Sequence, residues 1–306
     1  MKNVLVLIVS VLTLGCTRSD YAVCASEFNF LYAGDDDESS LDLLSKEVKN
    51  IDLYIYNKEN GDLVRHVQLS PQKGETSIQV PLYAGEYEAV AWGNIGDKTT
   101  ESQAYQYDTE KRVLNFANDD LHYNDKHTPI FYGKASSIVI DGQKKAIARI
   151  PLIKNSKTID LTIFGNDLNP MCDVVLNNKN HSMENKPSDK LNSIPKIEHY
   201  NTKSQKTVFK FKTHRLNEVE QSEKSLRIKS SDLAGGEKHF ELIHLIKLGI
   251  AKAQALDPEM EQELAEALDK REHFNIEVYL DKQDNNFAIT IYVNGYLIIA
   301  ITPDLR

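Results

Sequence analysis

The chain has 306 residues, with 36 Lys and Arg against 45 Asp and Glu, which gives a formal net charge of −9. An acidic chain is a poor ligand for nucleic acid and for anionic membrane surfaces, so no nucleic-acid partner is expected. The length predicts two domains, because a single core rarely grows beyond about 200 residues.

The first fifteen residues have the layout of a secretory signal. A basic start precedes an apolar run at 4–14, and Gly15 and Cys16 follow the run. The run is too short to span a membrane, which takes roughly 20 residues. A cysteine at this point is typical of a bacterial lipoprotein: cleavage between Gly15 and Cys16 makes Cys16 the lipid-carrying first residue. The alternative is an ordinary signal peptide with an incidental cysteine, and Cys24, which follows a bulky residue, is a poorer candidate.

A tether at 16–26 precedes a first predicted β-sandwich at 27–153. Short stretches of alternating apolar residues, separated by turn residues, predict strands at spacings typical of a β-sandwich. No alternation of strands and helices is visible, so a nucleotide-binding parallel sheet is excluded. The predicted strands are 27–33, 50–57, 63–70, 76–82, 86–94, 128–133, 136–140 and 146–152.

A second predicted β-sandwich, at 154–306, contains a helical insertion. Apolar residues at spacings of three and four predict a helical hairpin at about 237–271, with Asp257 as the N-cap of its second helix. The polar stretch 178–204 predicts a long exposed loop. Asn294-Gly295 between alternating apolar residues predicts a β-hairpin at 285–301.

The stretch VPLYAGEYEAVAWGN, residues 80–94, predicts a sandwich corner. Gly85 permits a positive φ at the turn, and the hydroxyl of Tyr87 is expected to pin the corner to the backbone. Trp92, the only tryptophan, is either part of a site or core filler. The motif indicates architecture and carries no activity by itself.

The two remaining cysteines, Cys24 and Cys172, lie in an exported chain, where disulfides are permitted. They either form a disulfide or are two buried thiols. The histidines do not have metal-site spacing, since His239 and His244 fall on different faces of the predicted helix. No metal, cofactor or catalytic residue is therefore predicted, although a hydrolase with an unrecognised carboxylate pair stays an alternative.

The order of these stretches resembles the fimbrial anchor family of Bacteroidales, the FimB-like minor fimbrillin lipoproteins. The resemblance covers nearly the whole chain after the signal. The chain departs from the family pattern at Thr13, where leucine is usual, and at Tyr296, where tryptophan is usual. The matching stretches are Cys16, Cys24, the strand 27–33, VKNIDLYIYNKENGDLV, LYAGEYEAVAWGN, LIHLIKLG with EALDKREHFNIEVYL, and ITIYVNGYLI.

The resemblance implies two transthyretin-like Greek-key β-sandwich domains in a surface-exposed lipoprotein of the outer membrane. Such a protein sits at the base of a fimbrium, anchors it to the cell and limits its length. Its partners are then the major fimbrillin shaft subunit and the outer-membrane lipid that Cys16 joins. The alternative, from a different class, is a fimbrial tip adhesin or glycan-binding lipoprotein. The stretch 178–204 contains a single aromatic residue, Tyr200, which favours the anchor.

Fimbrial subunits of the related class assemble by strand donation, after cleavage at an arginine has removed an N-terminal strand. This chain has no arginine between Arg18 and Arg65. The strand 27–33 is therefore expected to stay in place and to close the first domain, with Lys46 and Lys49 as the alternative cleavage sites.

The shaft contact is then expected on the second domain. The candidate is the hairpin 285–301, with Asn294, Gly295 and Tyr296 at its turn, unless the hairpin is ordinary core.

Overall fold

The computed structural model describes residues 23–34, 41–95, 105–116, 122–123, 128–141, 145–166, 170–193, 196–201, 205–216, 225–233, 235–256, 264–283 and 286–301. It is mainly β, which confirms the predicted fold class, while the transthyretin-like topology stays a prediction. Within the described ranges, no helix is both long and apolar enough to cross a bilayer.

The first half of the chain forms ten strands and one helix within the described ranges. Its strands follow the alternation of apolar and polar residues, which places every second side chain in a core. The elements are β1 (Cys24–Tyr32), α1 (Leu41–Glu47), β2 (Ile51–Asn57), β3 (Leu63–Leu69), β4 (Ser77–Leu82), β5 (Gly85–Gly93), β6 (Tyr105–Asp108), β7 (Val113–Phe116), β8 (His122–Tyr123), β9 (Phe131–Ile140) and β10 (Ile147–Lys154).

The second half adds ten strands and two helices in the part that the structure describes. These elements are β11 (Lys157–Phe164), β12 (Met171–Ser182), β13 (Pro187–Ser193), β14 (Lys196–Asn201), β15 (Lys206–Thr213), β16 (Leu226–Lys229), β17 (Glu237–Phe240), α2 (Leu242–Leu256), α3 (Leu264–Lys270), β18 (His273–Gln283), β19 (Asn286–Val293) and β20 (Tyr296–Ile301).

The first sandwich has the strand order β3-β2-β5-β9-β10-β1-β4. β9 and β10 pair only where Phe131 and Tyr132 meet Lys154 and Ile153, so beyond that point the sheet parts into two layers. We call the end where β9 and β10 pair the seam end, and the opposite end, where β1 begins, the outer end. The first core between the layers includes Phe28, Phe30, Leu53, Ile55, Ala89, Phe131 and Ile150.

The second sandwich follows directly, since β11 begins three residues after β10 ends. One of its sheets has the order β14-β15-β11-β18-β19-β20, and the other has the order β17-β16-β12-β13-β8. The hairpin β6–β7 of the first half joins the second of these sheets, because Leu114 of β7 pairs with His181 of β12. The second core lies between the sheets, and α2 and α3 contribute to it.

Three local predictions are wrong. The stretch 178–204 is not a loop, because β12 continues to Ser182 and β13 and β14 follow, each paired with a neighbouring strand. Its polar residues predicted a loop, but backbone pairing does not require apolar side chains. The helical insertion does not start at 237, because β17 pairs there with β16. His239 therefore lies on a strand. The tether does not reach residue 26, since β1 begins at Cys24.

The corner motif has the bond that the sequence predicts. The Tyr87 hydroxyl donates a hydrogen bond to the Tyr83 carbonyl, with 3.0 Å between the oxygens. The Tyr87 side chain is buried in the first core, while the side chain of Tyr83 is half exposed. Gly85 has a φ of +157°, a value that residues with side chains rarely adopt. The bond therefore fixes the connection from β4 to β5 at the outer end.

We predict that Tyr87→Phe lowers the free energy of unfolding by about 1 kcal/mol, because it removes this hydrogen bond and keeps the ring. Urea unfolding measures the change. Tyr83→Phe is the control: Tyr83 contributes only its backbone carbonyl, so its loss should stay within about 0.5 kcal/mol. Equal losses in the two variants would contradict this role for Tyr87.

Candidate anchoring and subunit-contact sites

β1 crosses the first sandwich from the outer end to the seam end, and it is paired on both sides. It runs parallel to β10 and antiparallel to β4. Phe28 and Phe30 of β1 are fully buried in the first core. Removal of β1 would therefore break two hydrogen-bonded ladders and empty part of a core. The paired ranges are 27–32 with 147–152, and 24–29 with 77–82.

The parallel pairing of β1 with β10 determines how the first sandwich responds to tension. The chain enters at the first residue of β1 and leaves for the second sandwich from the last residue of β10. A pull between those two points slides the strands past each other along their common axis. The hydrogen bonds of a parallel pair run across that axis, so the bonds of the ladder are loaded together.

An ionic cluster joins the two sandwiches at the seam end. The Tyr32 hydroxyl, at the end of β1, donates to Glu272, which follows α3. Lys154, at the end of β10, donates to Glu272 at 3.0 Å and to Glu47 at 3.2 Å. Burial alone would lower the pKa of Lys154, but the two carboxylates outweigh it and hold that pKa above its ordinary value. Lys154 is therefore charged and paired across the seam.

A second set of hydrogen-bonded polar side chains lies at the seam, next to the ionic cluster. Asn155 and Asn185 are buried and exchange two amide hydrogen bonds of 2.6 Å. Arg215 forms a two-pronged ion pair with Asp269, and it also donates to the Asn185 carbonyl at 2.5 Å. Two-pronged guanidinium–carboxylate pairs restrict orientation as well as distance. Arg215 and Asp269 belong to the second sandwich and hold Asn185, the partner of Asn155, in place.

A seam cluster of apolar and aromatic side chains lies beneath the β6–β7 hairpin. Trp92 is fully buried in it, with its ring centre 5.0 Å from that of Tyr132. The Tyr132 hydroxyl donates to the Met183 carbonyl of the second sandwich at 2.8 Å. Trp92 is therefore core between the sandwiches. The members are Tyr54, Tyr56, Val90, Trp92, Ile95, Tyr105, Leu114, Phe116, Ile130, Tyr132 and Met183.

The hairpin predicted at 285–301 is confirmed as β19 and β20. Asn294 and Gly295 form its turn with φ values of +49° and +84°. The side-chain oxygen of Asn294 accepts a hydrogen bond of 2.9 Å from the backbone N–H of Asn275, which holds the turn against β18. Gly249 of α2 fits against β19, because a Cβ there would lie 2.6 Å from a methyl of Val293.

The two strands of this hairpin differ in exposure. Ile289, Ile291 and Val293 of β19 are buried in the second core. β20 has a single described neighbour, β19, and its Leu297 is exposed. The hairpin is therefore core along one strand and a sheet edge along the other. Tyr296 is half-buried beside the turn, and Gly295 is exposed.

β20 is also the edge strand without a charge or a proline of its own among the described strands longer than two residues, although Lys252 of α2 donates a hydrogen bond to its Leu297 carbonyl. Charges or proline on an edge strand discourage pairing with another chain. β20, which reads YLIIAI, has neither. Each of the other edge strands contains at least one charged residue or proline: Arg65 in β3, Pro81 in β4, Asp108 in β6, Lys196 in β14 and Glu237 in β17.

The cysteine predictions have different outcomes. Gly15 and Cys16 lie outside the described residues. Cys24 and Cys172 are both free thiols, so of the two alternatives the disulfide is not formed in this structure. Cys24 borders the first core and Cys172 belongs to the second, which separates them. Burial raises the pKa of the Cys172 thiol.

The described residues offer no metal centre: no three His, Cys, Asp or Glu side chains among them gather closely enough to hold an ion. The charged residues that join the sandwiches were not singled out from the sequence, whereas Trp92 of the seam cluster was. Lys154 and Glu272 lie 118 positions apart, and no spacing rule connects positions at that distance.

Comparisons with known proteins give a family and a fold. A family model described as "Fimbrillin-A associated anchor proteins Mfa1 and Mfa2" matches residues 19–302. The chain is similar to the solved structure of the fimbrial anchor protein Mfa2 from Porphyromonas gingivalis, with a TM-score of 0.68 and 16% identity over 91% of this chain and 100% of that chain.

Two further solved structures show the same fold. A candidate polysaccharide-binding protein from Bacteroides thetaiotaomicron has a TM-score of 0.69 and 18% identity, over 92% of this chain and 100% of that chain. A candidate adhesin from Bacteroides ovatus has a TM-score of 0.68 and 14% identity, over 95% of this chain and 98% of that chain. No curated protein matches the chain.

We predict that Lys154→Met lowers the free energy of unfolding by about 1–3 kcal/mol, because it removes the cation between Glu47 and Glu272 in a partly buried site. Because the folded-state pKa of Lys154 is raised, its contribution is complete below its ordinary pKa and is lost as the pH rises through the raised value. The deficit should therefore be constant from neutral pH to about pH 9.

Thermal or urea unfolding measures this deficit. Lys58→Met is the control, because Lys58 forms an exposed ion pair with Glu86 and its loss should cost less than about 1 kcal/mol. Equal deficits for the two lysines would show that the cluster does not hold the seam.

Proposed function

The chain belongs to the family of fimbrillin-A associated anchor proteins, and from this premise we propose that it is an outer-membrane lipoprotein that anchors a fimbrium to the cell surface and limits its length. Its role is structural, in line with a family of anchors rather than of enzymes. The observation that carries this proposal is the position of β1, which links the segment after Cys16 to the second sandwich through its parallel ladder with β10.

An anchor must transmit a pull from its partner to the membrane. With lipid on Cys16, the pull enters β1 at the outer end and reaches the second sandwich through β10. The parallel ladder between β1 and β10 then resists as a unit rather than opening one bond at a time. The ionic cluster at Lys154 lies where this path crosses into the second sandwich.

Retention of β1 supports the limit on length. Because β1 pairs with both β4 and β10 and fills the first core, the first sandwich is complete without a donor strand. Cleavage after Lys46 or Lys49 would remove β1 and separate the fold from its lipid. A subunit whose first sandwich needs no donor ends the series of strand donations, so growth stops at this chain.

The edge of β20 is the proposed contact for the shaft subunit. An extended strand of another subunit can add to an unpaired edge through main-chain hydrogen bonds, with side-chain contacts on either face. The partner segment would be an apolar β-strand, since β20 itself carries no charge. The Mfa2 family match supports a protein partner within the fimbrium.

The alternative of a glycan-binding tip protein receives less support from the described residues. Glycan sites present open aromatic faces, and among the residues whose side-chain burial the structure describes, Tyr83 is the only aromatic one that is at least half exposed. The stripe of Phe164, Tyr279 and Tyr292 turns its rings toward one another, with 4.2 Å between the first two ring centres. The candidate adhesins of similar fold share the fold alone with this chain.

We predict that Cys16→Ala releases the protein from the outer membrane and that fimbriae are shed into the medium. Cell fractionation with immunoblotting measures the first effect and electron microscopy the second. Cys24→Ala is the control, because Cys24 lies in β1 and should not carry lipid. A Cys16→Ala protein that stays in the membrane and still incorporates a fatty-acid analogue would exclude this anchor.

We predict that Leu297→Lys weakens binding of the shaft subunit by at least about tenfold, or about 1.4 kcal/mol, because it places a charge on the open edge of β20. Co-purification from cells and titration with purified subunits measure the effect. Leu256→Lys, on the exposed side of α2, is the matched control and should bind normally. Equal binding by both variants would place the contact elsewhere.

A further inference from the structure

An apolar face covers the outer end of the first sandwich. It consists of Val23, Ala25, Pro81, Tyr83 and Ile147, all of which are exposed. The neighbouring residues in the same strands, such as Ser26, Val80 and Ala148, are buried, so the five side chains point away from the first core. An exposed apolar cluster in a secreted chain generally marks a contact surface.

The five residues lie together because of the strand register. Ala25 pairs with Pro81 across β1 and β4, and Leu82 pairs with Cys24, which places Tyr83 beside Val23. Ile147 pairs with Glu27 on the other side of β1. The apolar face is therefore continuous across β1 and β4, and Ile147 extends it onto β10 beside the Glu27–Lys145 ion pair.

Polar residues bound the apolar face on the side toward the seam. Gln79 and Arg149 are exposed on the next positions of β4 and β10. The charge at the border is compensated, because Lys145 pairs with Glu27. The apolar face is therefore a bounded patch, with polar residues toward the seam and an ion pair beside Ile147.

We propose that the apolar face rests in the interfacial region of the bilayer to which Cys16 is attached. This inference depends on the lipid attachment proposed above. Val23 follows Cys16 by seven positions, and such a length of chain spans at most about 25 Å even when fully extended. The apolar face is thus held close to the bilayer surface by its own chain.

The chemistry of the apolar face favours lipid as the occupant. The chain carries a net charge of −9, so attraction to an anionic surface does not supply the contact. Tyrosine has an apolar ring and a polar tip, which suits it to the boundary between headgroups and acyl chains.

The contact would orient the protein as well as hold it. The five side chains project from the flank of the layer formed by β10, β1 and β4, at its outer end. The contact would therefore hold this flank of the first sandwich against the bilayer.

The test uses the full lipidated chain in phosphatidylcholine vesicles whose acyl chains are brominated, which quench tryptophan only on contact. Tyr83→Trp places a reporter on the apolar face, and Leu256→Trp places one on the exposed side of α2 in the second sandwich. Trp92 is fully buried and supplies the same unquenched background in both proteins. We expect strong quenching for Tyr83→Trp and none above background for Leu256→Trp.

A second variant tests whether the whole face makes the contact. Adding Ile147→Ser to Tyr83→Trp should reduce the quenching at least twofold, while Met171→Ser, an exposed apolar residue of the second sandwich, should leave it unchanged. If the lipidated Tyr83→Trp chain floats with the vesicles but is not quenched, the inference about the apolar face is wrong, while the proposed lipid attachment at Cys16 still stands. Equal quenching of the two reporters also overturns it. A chain that fails to float shows instead that the lipid attachment itself is wrong.

Discussion

The parallel ladder between β1 and β10 is the interaction on which the rest of this structure depends. It closes the first core, because Phe28 and Phe30 of β1 and Ile150 of β10 pack together there. It also joins the entry of the chain to its exit toward the second sandwich. Since the two strands run the same way and are loaded at opposite ends, a pull on the protein meets the whole ladder at once.

The seam continues this path into the second sandwich. Lys154 ends β10 between two carboxylates, one from each sandwich, and Tyr32 ends β1 on the same Glu272. The β6–β7 hairpin of the first half pairs with β12 of the second sandwich, and Trp92 is buried beside it. Both features add apolar contact to the ion pairs at the seam. The sandwiches are thus joined by backbone pairing, charge and packing together, which suits a part that must transmit force without bending.

The sequence predicts the parts of this fold that depend on local pattern. Alternation identifies β1 to β5, Asn294-Gly295 identifies the β19–β20 hairpin, and the Tyr87 corner follows from a short motif. Patterns of this kind do not report pairing between distant segments. β13 and β14 are polar strands that form because neighbours are available, and β17 lies in a segment with helical spacing until β16 pairs with it. Cys24 and Cys172 could not be assigned, because their separation depends on the packing of two cores.

The most direct test of this account is the N-terminus of the mature protein taken from fimbriated cells. If β1 links the lipid to the seam, intact-mass and peptide analysis should find a chain that begins at Cys16, carries lipid and retains β1. The parallel ladder with β10 is then present in the assembled fimbrium. A mature chain that begins at Glu47 or Asn50, after cleavage at Lys46 or Lys49, would lack β1 and its lipid and would contradict the account.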